Sequence, residues 1–142
     1  MLQEFIMIRI LLCFVGGISV GAHPYYRDVI PNGYAVFNPC GGGFWEAVGH
    51  YNALHHTHDK NPFGLAFAAA GHQWTTALCN ADSDGDGVTN GAELGDPNCT
   101  WTAGDTPEGK STGQPGICEP IGSGACSSVA FHCGCHGHGC VG

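Results

Sequence analysis

Apolar residues recur at helical spacing in the middle of this chain. Phe63, Phe67 and Ala70 lie three or four residues apart, and the Asn-Pro step before them is typical of a helix N-cap followed by proline. Upstream, the Pro-Asn-Gly and Asn-Pro steps within residues 31–39 favour turns over long elements. The pattern therefore predicts a helix that begins at residue 62 and is interrupted at Gly71.

A second helical segment is predicted for residues 72–80, with Trp74, Ala77 and Leu78 on its buried face. It runs directly into an acidic loop, as the entering helix of an EF-hand does. Beyond Thr89, the glycines and the proline within the next eight positions allow only about one helical turn. A full second EF-hand helix is therefore not expected.

The acidic loop spans residues 82–93 and reads Asp-Ser-Asp-Gly-Asp-Gly-Val-Thr-Asn-Gly-Ala-Glu. It matches the calcium-loop pattern D-x-D-x-D-G-x5-E in every constrained position. The alternative, an acidic glycine-rich surface turn, does not require an acid at the last position. The predicted ligands supply carboxylate, backbone carbonyl and amide oxygens, and they are Asp82, Asp84, Asp86, Val88, Asn90 and Glu93.

The amino terminus indicates export. Residues 10–18 form an apolar run that is too short to span a bilayer, with Arg9 before it and Val-Gly-Ala at 20–22 after it. We predict a signal peptide at residues 1–22, a mature chain that begins at His23, and a secreted, extracellular location. A buried strand or a retained anchor is the alternative interpretation. No second apolar stretch is long enough to cross a membrane.

Composition predicts one small cross-linked domain. Glycine is abundant and long aliphatic runs are absent, so we expect a small core rich in Phe, Trp and Tyr. The predicted class is a small, disulfide-rich, mostly irregular fold with short α-helices and an EF-hand-like calcium loop, an α-leaning mixed class. Cys13 lies in the leader, and the other eight cysteines predict four disulfides. They are Cys40, Cys79, Cys99, Cys118, Cys126, Cys133, Cys135 and Cys140.

Charge limits the partners. The formal net charge is −8 and there is no basic patch, so neither nucleic acid nor an anionic membrane is an expected partner. Enzyme signatures are also weak, because the chain has neither a phosphate-binding glycine loop after a strand nor a Gly-x-Ser-x-Gly elbow. No catalytic residue is predicted.

Several segments, taken in order, resemble the temptin-like family of secreted proteins. The resemblance covers about residues 23–118 and implies a temptin-like domain there, followed by a Gly/Cys/His-rich tail at 119–142. The matching segments are Ile-Pro-Asn-Gly at 30–33, Val-Gly-His at 48–50, Asn-Pro-Phe-Gly at 61–64, Trp-Thr at 74–75, Leu-Cys at 78–79, and residues 82–101.

The resemblance implies a function and a set of cross-links. The family is implicated in water-borne mating signals and acts with a small peptide pheromone, which implies an extracellular protein or peptide partner. Family descriptions also attach a cysteine/copper-binding label to the domain. The resemblance suggests disulfides between Cys40 and Cys79 and between Cys99 and Cys118.

The tail departs from the family pattern. Cys133 and Cys135 are too close in sequence to pair comfortably with each other, so we expect them to bond to Cys126 and Cys140, in either of two arrangements. The alternative is a zinc or copper(I) site that uses these cysteines and the neighbouring histidines.

Nine histidines suggest a second metal. His23, as the first mature residue, would offer an amine and an imidazole to copper, and His50 is the candidate second ligand. The alternative is a frayed terminus and a turn-capping histidine. The triplet His55, His56 and His58 could hold zinc or copper weakly, but a solvated polar loop is the favoured interpretation, because Asp59 is the only carboxylate or cysteine nearby in sequence.

We predict a secreted, calcium-binding, disulfide-bonded recognition or signalling protein. The alternatives are an extracellular copper protein or copper-dependent oxidase that uses an N-terminal histidine, and a structural matrix or coat component. Asn98 begins the Asn-Cys-Thr acceptor pattern and is a candidate glycosylation site.

Overall fold

The computed structural model describes residues 24–56 and 59–134. Within these ranges the regular structure is short helices joined by turns, and no β-strand occurs. The predicted class, a small, mostly irregular, disulfide-rich fold with short helices, is confirmed at that level. The helices are α1 (Pro62–Ala69), α2 (Thr76–Asn80) and α3 (Asn90–Leu94), with 3₁₀ helices at Pro24–Val29 and Gly124–Cys126.

Helix α1 begins where the Asn-Pro step predicts. The Asn61 side chain accepts a hydrogen bond from the Gly64 N–H at 2.9 Å, so it caps one of the free amides of the first turn. The buried face carries Phe63 and Phe67, whose rings stack with centroids 6.0 Å apart. After Ala70, the backbone turns left-handed, which ends the helix.

Helix α2 begins four residues later than the apolar pattern predicts. His72 has a left-handed φ of 57°, which is incompatible with a helix at that point. The helix starts instead at Thr76. The Thr75 hydroxyl caps it by accepting a hydrogen bond from the Leu78 N–H. Leu78 is buried, but Ala77 is exposed, so the prediction that Ala77 shares the buried face was wrong.

Helix α3 is as short as predicted. The Thr89 hydroxyl caps its start by accepting from the Ala92 N–H at 3.2 Å. Gly95 ends it in a left-handed conformation with φ 81°, and its N–H donates to the Gly91 carbonyl. Helices α2 and α3 pack against each other, so the acidic loop joins two short helices that lie side by side.

The core is less aromatic than composition suggests. Four of its ten buried hydrophobic residues are aromatic and the other six are aliphatic, so the expected excess of aromatic residues is only partly present. The core residues are Ile30, Val36, Trp45, Val48, Phe63, Phe67, Leu78, Leu94, Ile117 and Phe131.

The disulfide pairing differs from the one that the family resemblance implies. Three disulfides form within the described residues, and the predicted pairs Cys40–Cys79 and Cys99–Cys118 were wrong. The observed bridges have Cα–Cα distances of 5.4–5.8 Å, which lie in the usual range for disulfides. The observed pairs are Cys40–Cys133, Cys79–Cys99 and Cys118–Cys126.

The tail explains the difference. Phe131 inserts into the core beside Trp45 and Tyr51, with ring centroids 6.0 Å from each. This insertion brings Cys133 to Cys40, so neither Cys133 nor Cys126 pairs within the tail as we expected. The other two tail cysteines, Cys135 and Cys140, lie outside the described residues.

Candidate metal sites

The acidic loop brings three carboxylates together. One carboxylate oxygen from each of Asp82, Asp84 and Asp86 lies within 4.8 Å of the other two. The Asp82 carboxylate accepts hydrogen bonds from the N–H groups of Gly85 and Gly87 at 2.8 and 2.9 Å. Both glycines have left-handed φ angles, 77° and 94°, which other residues rarely adopt. The glycines therefore allow the tight turn that gathers the aspartates.

Asp84 has a carboxylate with one buried oxygen. Its Oδ1 accepts from the Asp86 N–H at 3.2 Å, whereas its Oδ2 is buried and has no hydrogen-bond partner among the described residues. Burial, followed by the negative charge of Asp86, raises the pKa of Asp84 to about 8. The same side-chain-to-backbone turn occurs again at Asp86, whose Oδ1 accepts from the Val88 N–H at 2.9 Å.

Glu93 lies in the interior rather than at the surface. Its side chain is 2% exposed, and its Oε2 has no hydrogen-bond partner within the described part of the chain. A Cβ added at Gly113 would lie 2.6 Å from Glu93 Oε1, so only glycine there leaves room for the carboxylate. Burial is the largest cause that raises the pKa of Glu93 to about 10, and the charge of Asp84 is the next.

Asn90 holds the two ends of the loop together. It is fully buried, and its Nδ2 donates to the Leu78 carbonyl and to the Ser83 hydroxyl, both at 2.8 Å. Its Oδ1 accepts from the Ser83 N–H at 3.2 Å. The amide that we predict as a calcium ligand is therefore engaged in positioning the loop against α2.

The donor set is chemically suited to calcium. The cluster offers only oxygen ligands, and hard cations such as Ca²⁺ prefer these. Asp84 Oδ2 and Glu93 Oε2 are buried acceptors without a donor among the described residues. A cation in the loop would compensate for both, since burying an unpaired charge is costly.

Asp96 has a structural role that the sequence did not indicate. It is fully buried, and its Oδ2 accepts from Trp74 Nε1 at 2.9 Å. Its Oδ1 accepts from the N–H groups of Thr100 and Trp101 at 2.9 and 3.1 Å. This carboxylate secures the turn after α3 and is turned to these donors rather than to the aspartate cluster.

Asn98 begins the acceptor pattern Asn98-Cys99-Thr100 and stays a candidate glycosylation site. Its side chain is exposed and donates to Glu108 at 2.9 Å.

A second candidate site is a small cavity lined by histidine and aromatic rings. Its volume is about 80 Å³, and His50, His56 and His72 all contribute to its wall. The rings of His50 and His56 meet edge to face with centroids 5.4 Å apart. His72 stacks on Tyr26 with centroids 4.5 Å apart, which is a packing role.

The backbone around His50 is firmly held. Its carbonyl accepts from Trp45 Nε1 and from Asn61 Nδ2, both at 3.1 Å, and it forms the single antiparallel bridge of the described residues with Lys60. His55 and His56 are exposed. His23 and His58 lie outside the described residues, and so does the predicted signal peptide.

Among the described residues, the three aspartates form the only group of three or more metal-ligating side chains that is close enough to hold one ion. None of the helices in residues 24–56 and 59–134 is long and apolar enough to cross a membrane. The site and fold define a class: a small, disulfide-bonded domain, with short helices and no strand in its described residues, built around an acidic loop between two of those helices.

Comparison with known proteins identifies the family. The family model described as Temptin C-terminal matches residues 20–117. Temptin from Aplysia californica is 53% identical over 98 residues, which cover 68% of this chain and 74% of that protein. The chain therefore belongs to the temptin family, as its sequence segments indicate. No solved structure matches it.

Proposed function

We propose that this chain is a secreted, calcium-binding recognition protein that acts in extracellular, pheromone-associated signalling. The 53% identity to temptin carries the signalling part of the proposal. The predicted leader and the disulfides support secretion, because disulfides persist in oxidising compartments. Calcium would act as a structural ion that neutralises the acidic loop.

The calcium part rests on one observation above all. Glu93 occupies the last position of the loop, is 2% exposed and has a buried Oε2 without a hydrogen-bond partner among the described residues. In an EF-hand this residue donates both carboxylate oxygens to the ion. A solvated acidic turn would not need a buried acid at this position.

Thermal melting with and without calcium tests this part. Calcium at a hundredfold excess over its Kd should stabilise the wild-type protein by roughly 3 kcal/mol. Glu93→Ala should largely abolish the shift, whereas the control Asp59→Asn, an exposed acid outside the loop, should keep it. An unmoved wild-type midpoint, or an equal response of Glu93→Ala, would exclude calcium binding by this loop.

The recognition part needs a surface for an extracellular peptide. Phe44 and Leu54 are 57% and 62% exposed and border a cavity of about 200 Å³, with Trp45, Tyr51 and Phe131 in its wall. Exposed apolar side chains around a concavity are typical of surfaces that bind a partner. The family's association with a small peptide pheromone makes a peptide the proposed occupant.

Affinity capture followed by direct titration tests the recognition part. Peptides retained from the native secretion are sequenced, synthesised and titrated against the purified protein. The double variant Phe44→Ser with Leu54→Ser should weaken binding by about tenfold or more. Leu65→Ser, an equally exposed substitution on α1 outside this cavity, should bind as wild type does. Saturable binding by none of the synthetic peptides would refute the proposal.

Copper binding is a second candidate, favoured by the contact between His50 and His56. Imidazole is a suitable copper ligand, and His23 would supply the terminal amine of the mature chain. The protein should then give a type 2 copper(II) spectrum that disappears on His50→Ala or on extension before His23. His132→Ala, an exposed histidine elsewhere, is the matched control. A spectrum that is unchanged in His50→Ala would exclude this site.

A further inference from the structure

A carboxylate from outside the acidic loop lies against one side of the loop. Asp86, Glu93 and Glu119 line a single cavity of about 280 Å³, and Gly113 and Pro120 complete part of its wall. Glu119 belongs to the segment that follows Ile117 in the core, and the twelve-residue calcium pattern does not include it. Its place beside the loop arises only from the tertiary fold.

Both the backbone and the side chain of Glu119 are fixed at this cavity. Its N–H donates to Asp86 Oδ2 at 3.4 Å, and its Oε1 accepts from the Gln114 N–H at 3.2 Å. Gln114 is fully buried, so it is a rigid support. The residue before Glu119 is half of the Cys118–Cys126 disulfide. The carboxylate is therefore pre-positioned, and within the described part of the chain only its Oε1 accepts a hydrogen bond.

Glu119 interacts electrostatically with the acidic residues of the loop. Burial is the largest cause that raises the pKa of Glu119, and the charge of Asp86 raises it further. The charge of Glu119 in turn contributes to the raised pKa of Glu93, after burial and the charges of Asp84 and Asp86. The fold thus concentrates negative charge from two separate segments in one partly buried place.

One ligand position of the calcium pattern is already engaged in hydrogen bonds within the protein. The ninth position of an EF-hand loop offers an oxygen to calcium directly or through water. Here that residue is Asn90, and its side chain is engaged with Ser83 and with the Leu78 carbonyl. Glu93 Oε2, in contrast, has no hydrogen-bond partner among the residues that the structure describes, and Glu93 is 2% exposed. A carboxylate from elsewhere would complete the set.

We propose that Glu119 supplies a carboxylate oxygen to the ion held by loop 82–93, so that calcium joins the loop to the C-terminal segment. This inference rests on the calcium binding proposed above. It extends the site from one local turn to two segments that are distant in sequence. Calcium would then also hold residues 114–126 in place, and with them the Cys118–Cys126 disulfide.

Calorimetric titration with calcium chloride is the first test. Purified wild-type protein, Glu119→Gln, Glu93→Gln and the control Glu108→Gln, an exposed acid outside the cavity, are compared with their disulfides verified. We expect Glu119→Gln to weaken calcium binding by at least about tenfold, because even partners that only orient a metal ligand typically contribute about 10- to 100-fold. Glu108→Gln should bind as wild type does.

The outcomes separate this inference from the proposed function. If wild type binds no calcium, both fail. If Glu93→Gln loses binding while Glu119→Gln keeps the wild-type Kd, the loop site stands and the role of Glu119 is refuted. If both variants lose affinity, calcium binding by the loop stands and Glu119 contributes to it, and the water count of the bound ion then decides whether Glu119 does so as a ligand.

A second measurement distinguishes a ligand from a structural residue. Europium(III) replaces calcium in such sites, and its luminescence lifetimes in H₂O and D₂O count the water molecules bound to the ion. Glu119→Ala should add about one water, because solvent fills the position that the carboxylate leaves. An unchanged water count in a variant that still binds europium would show that Glu119 does not coordinate the ion.

Discussion

At the scale of single residues, buried polar side chains organise a protein that has little regular structure. Asn61 and Asp96 are fully buried. Asn61 bonds to backbone groups of two segments, and Asp96 accepts from two backbone N–H groups and from the Trp74 indole. In a sheet or a long helix these backbone groups would bond to one another. Here the side chains replace that network, because buried N–H and C=O groups must be paired.

Replacing Asn61 should therefore be costly. Its amide caps α1 at Gly64 and donates to the carbonyls of Val48 and His50 at 2.8 and 3.1 Å. We expect Asn61→Ala to destabilise the fold by about 3 kcal/mol, from the lost cap and the unsatisfied carbonyls. Chemical denaturation measures this loss. Asn80→Ala, which removes an exposed amide from α2, should cost far less; equal losses would contradict the argument.

Glu93 makes the metal-free protein sensitive to pH. Its pKa is raised from an ordinary 4.5 to about 10, so the folded state retains a proton that the unfolded state releases. The metal-free protein should accordingly lose stability as pH rises from about 4.5 towards about 10. Melting should occur at a lower temperature near pH ~8 than near pH ~5. Glu93→Gln should reduce this dependence, and the part that remains is expected from Asp84 and Glu119, whose pKa values are also raised. A slope as steep as that of the wild type would contradict the role of Glu93.

At the scale of elements, backbone contacts decide where helices can lie. Helix α1 crosses the turn at Gly49 so closely that a Cβ on Gly64 would lie 2.0 Å from the Gly49 carbonyl oxygen. The Asn61 N–H also donates to that carbonyl at 3.0 Å. The two glycines therefore set the distance between α1 and the segment that carries His50.

Gly64→Ala should separate these two backbones. The added methyl group meets backbone atoms that cannot rotate away, so we expect a loss of about 1–3 kcal/mol or more. Gly109→Ala is the matched control, because its nearest atoms would be 3.9 Å or more from the new Cβ. Denaturation midpoints of the two variants decide the matter: similar midpoints would mean that the α1 contact is adaptable.

Sequence reasoning located the elements with local signals better than those without them. The Asn-Pro step gave the start of α1, and the glycines after Thr89 gave the length of α3. The start of α2 was missed because the apolar spacing was followed back to residue 72, whereas the left-handed turn at Gly71 and His72 delays the helix until Thr75 caps it. Glu119 was missed as well, since it reaches the loop only through tertiary contacts.

At the scale of the whole molecule, the cross-links depend on long-range packing that sequence does not reveal. The eight cysteines outside the predicted leader allow on the order of a hundred pairings. Cys40 pairs with Cys133 because the nearby Phe131 is buried in the core. A local sequence pattern does not reveal that a side chain so far along the chain packs there. The result ties the tail to the body of the fold.

The Cys40–Cys133 disulfide should contribute more to overall stability, whereas the Cys79–Cys99 disulfide should contribute more to calcium affinity. Cys79–Cys99 has a sequence separation of 20 and encloses the whole acidic loop, whereas Cys40–Cys133 has a separation of 93. In the chain-entropy model the longer loop contributes more to overall stability, about 4–5 against about 3 kcal/mol. Only the shorter one restrains the calcium loop locally, and it packs against Gly91 of α3.

Two double variants separate these effects. Cys40→Ser with Cys133→Ser should lower the melting temperature more, while Cys79→Ser with Cys99→Ser should weaken calcium binding more, by about tenfold, because calcium must then order a freer loop. Calorimetry below both melting temperatures measures the affinities. If the two variants lose calcium affinity equally, the bridge between α2 and the turn after α3 does not pre-organise the loop. The calcium site would then depend only on its own turn and on Glu119.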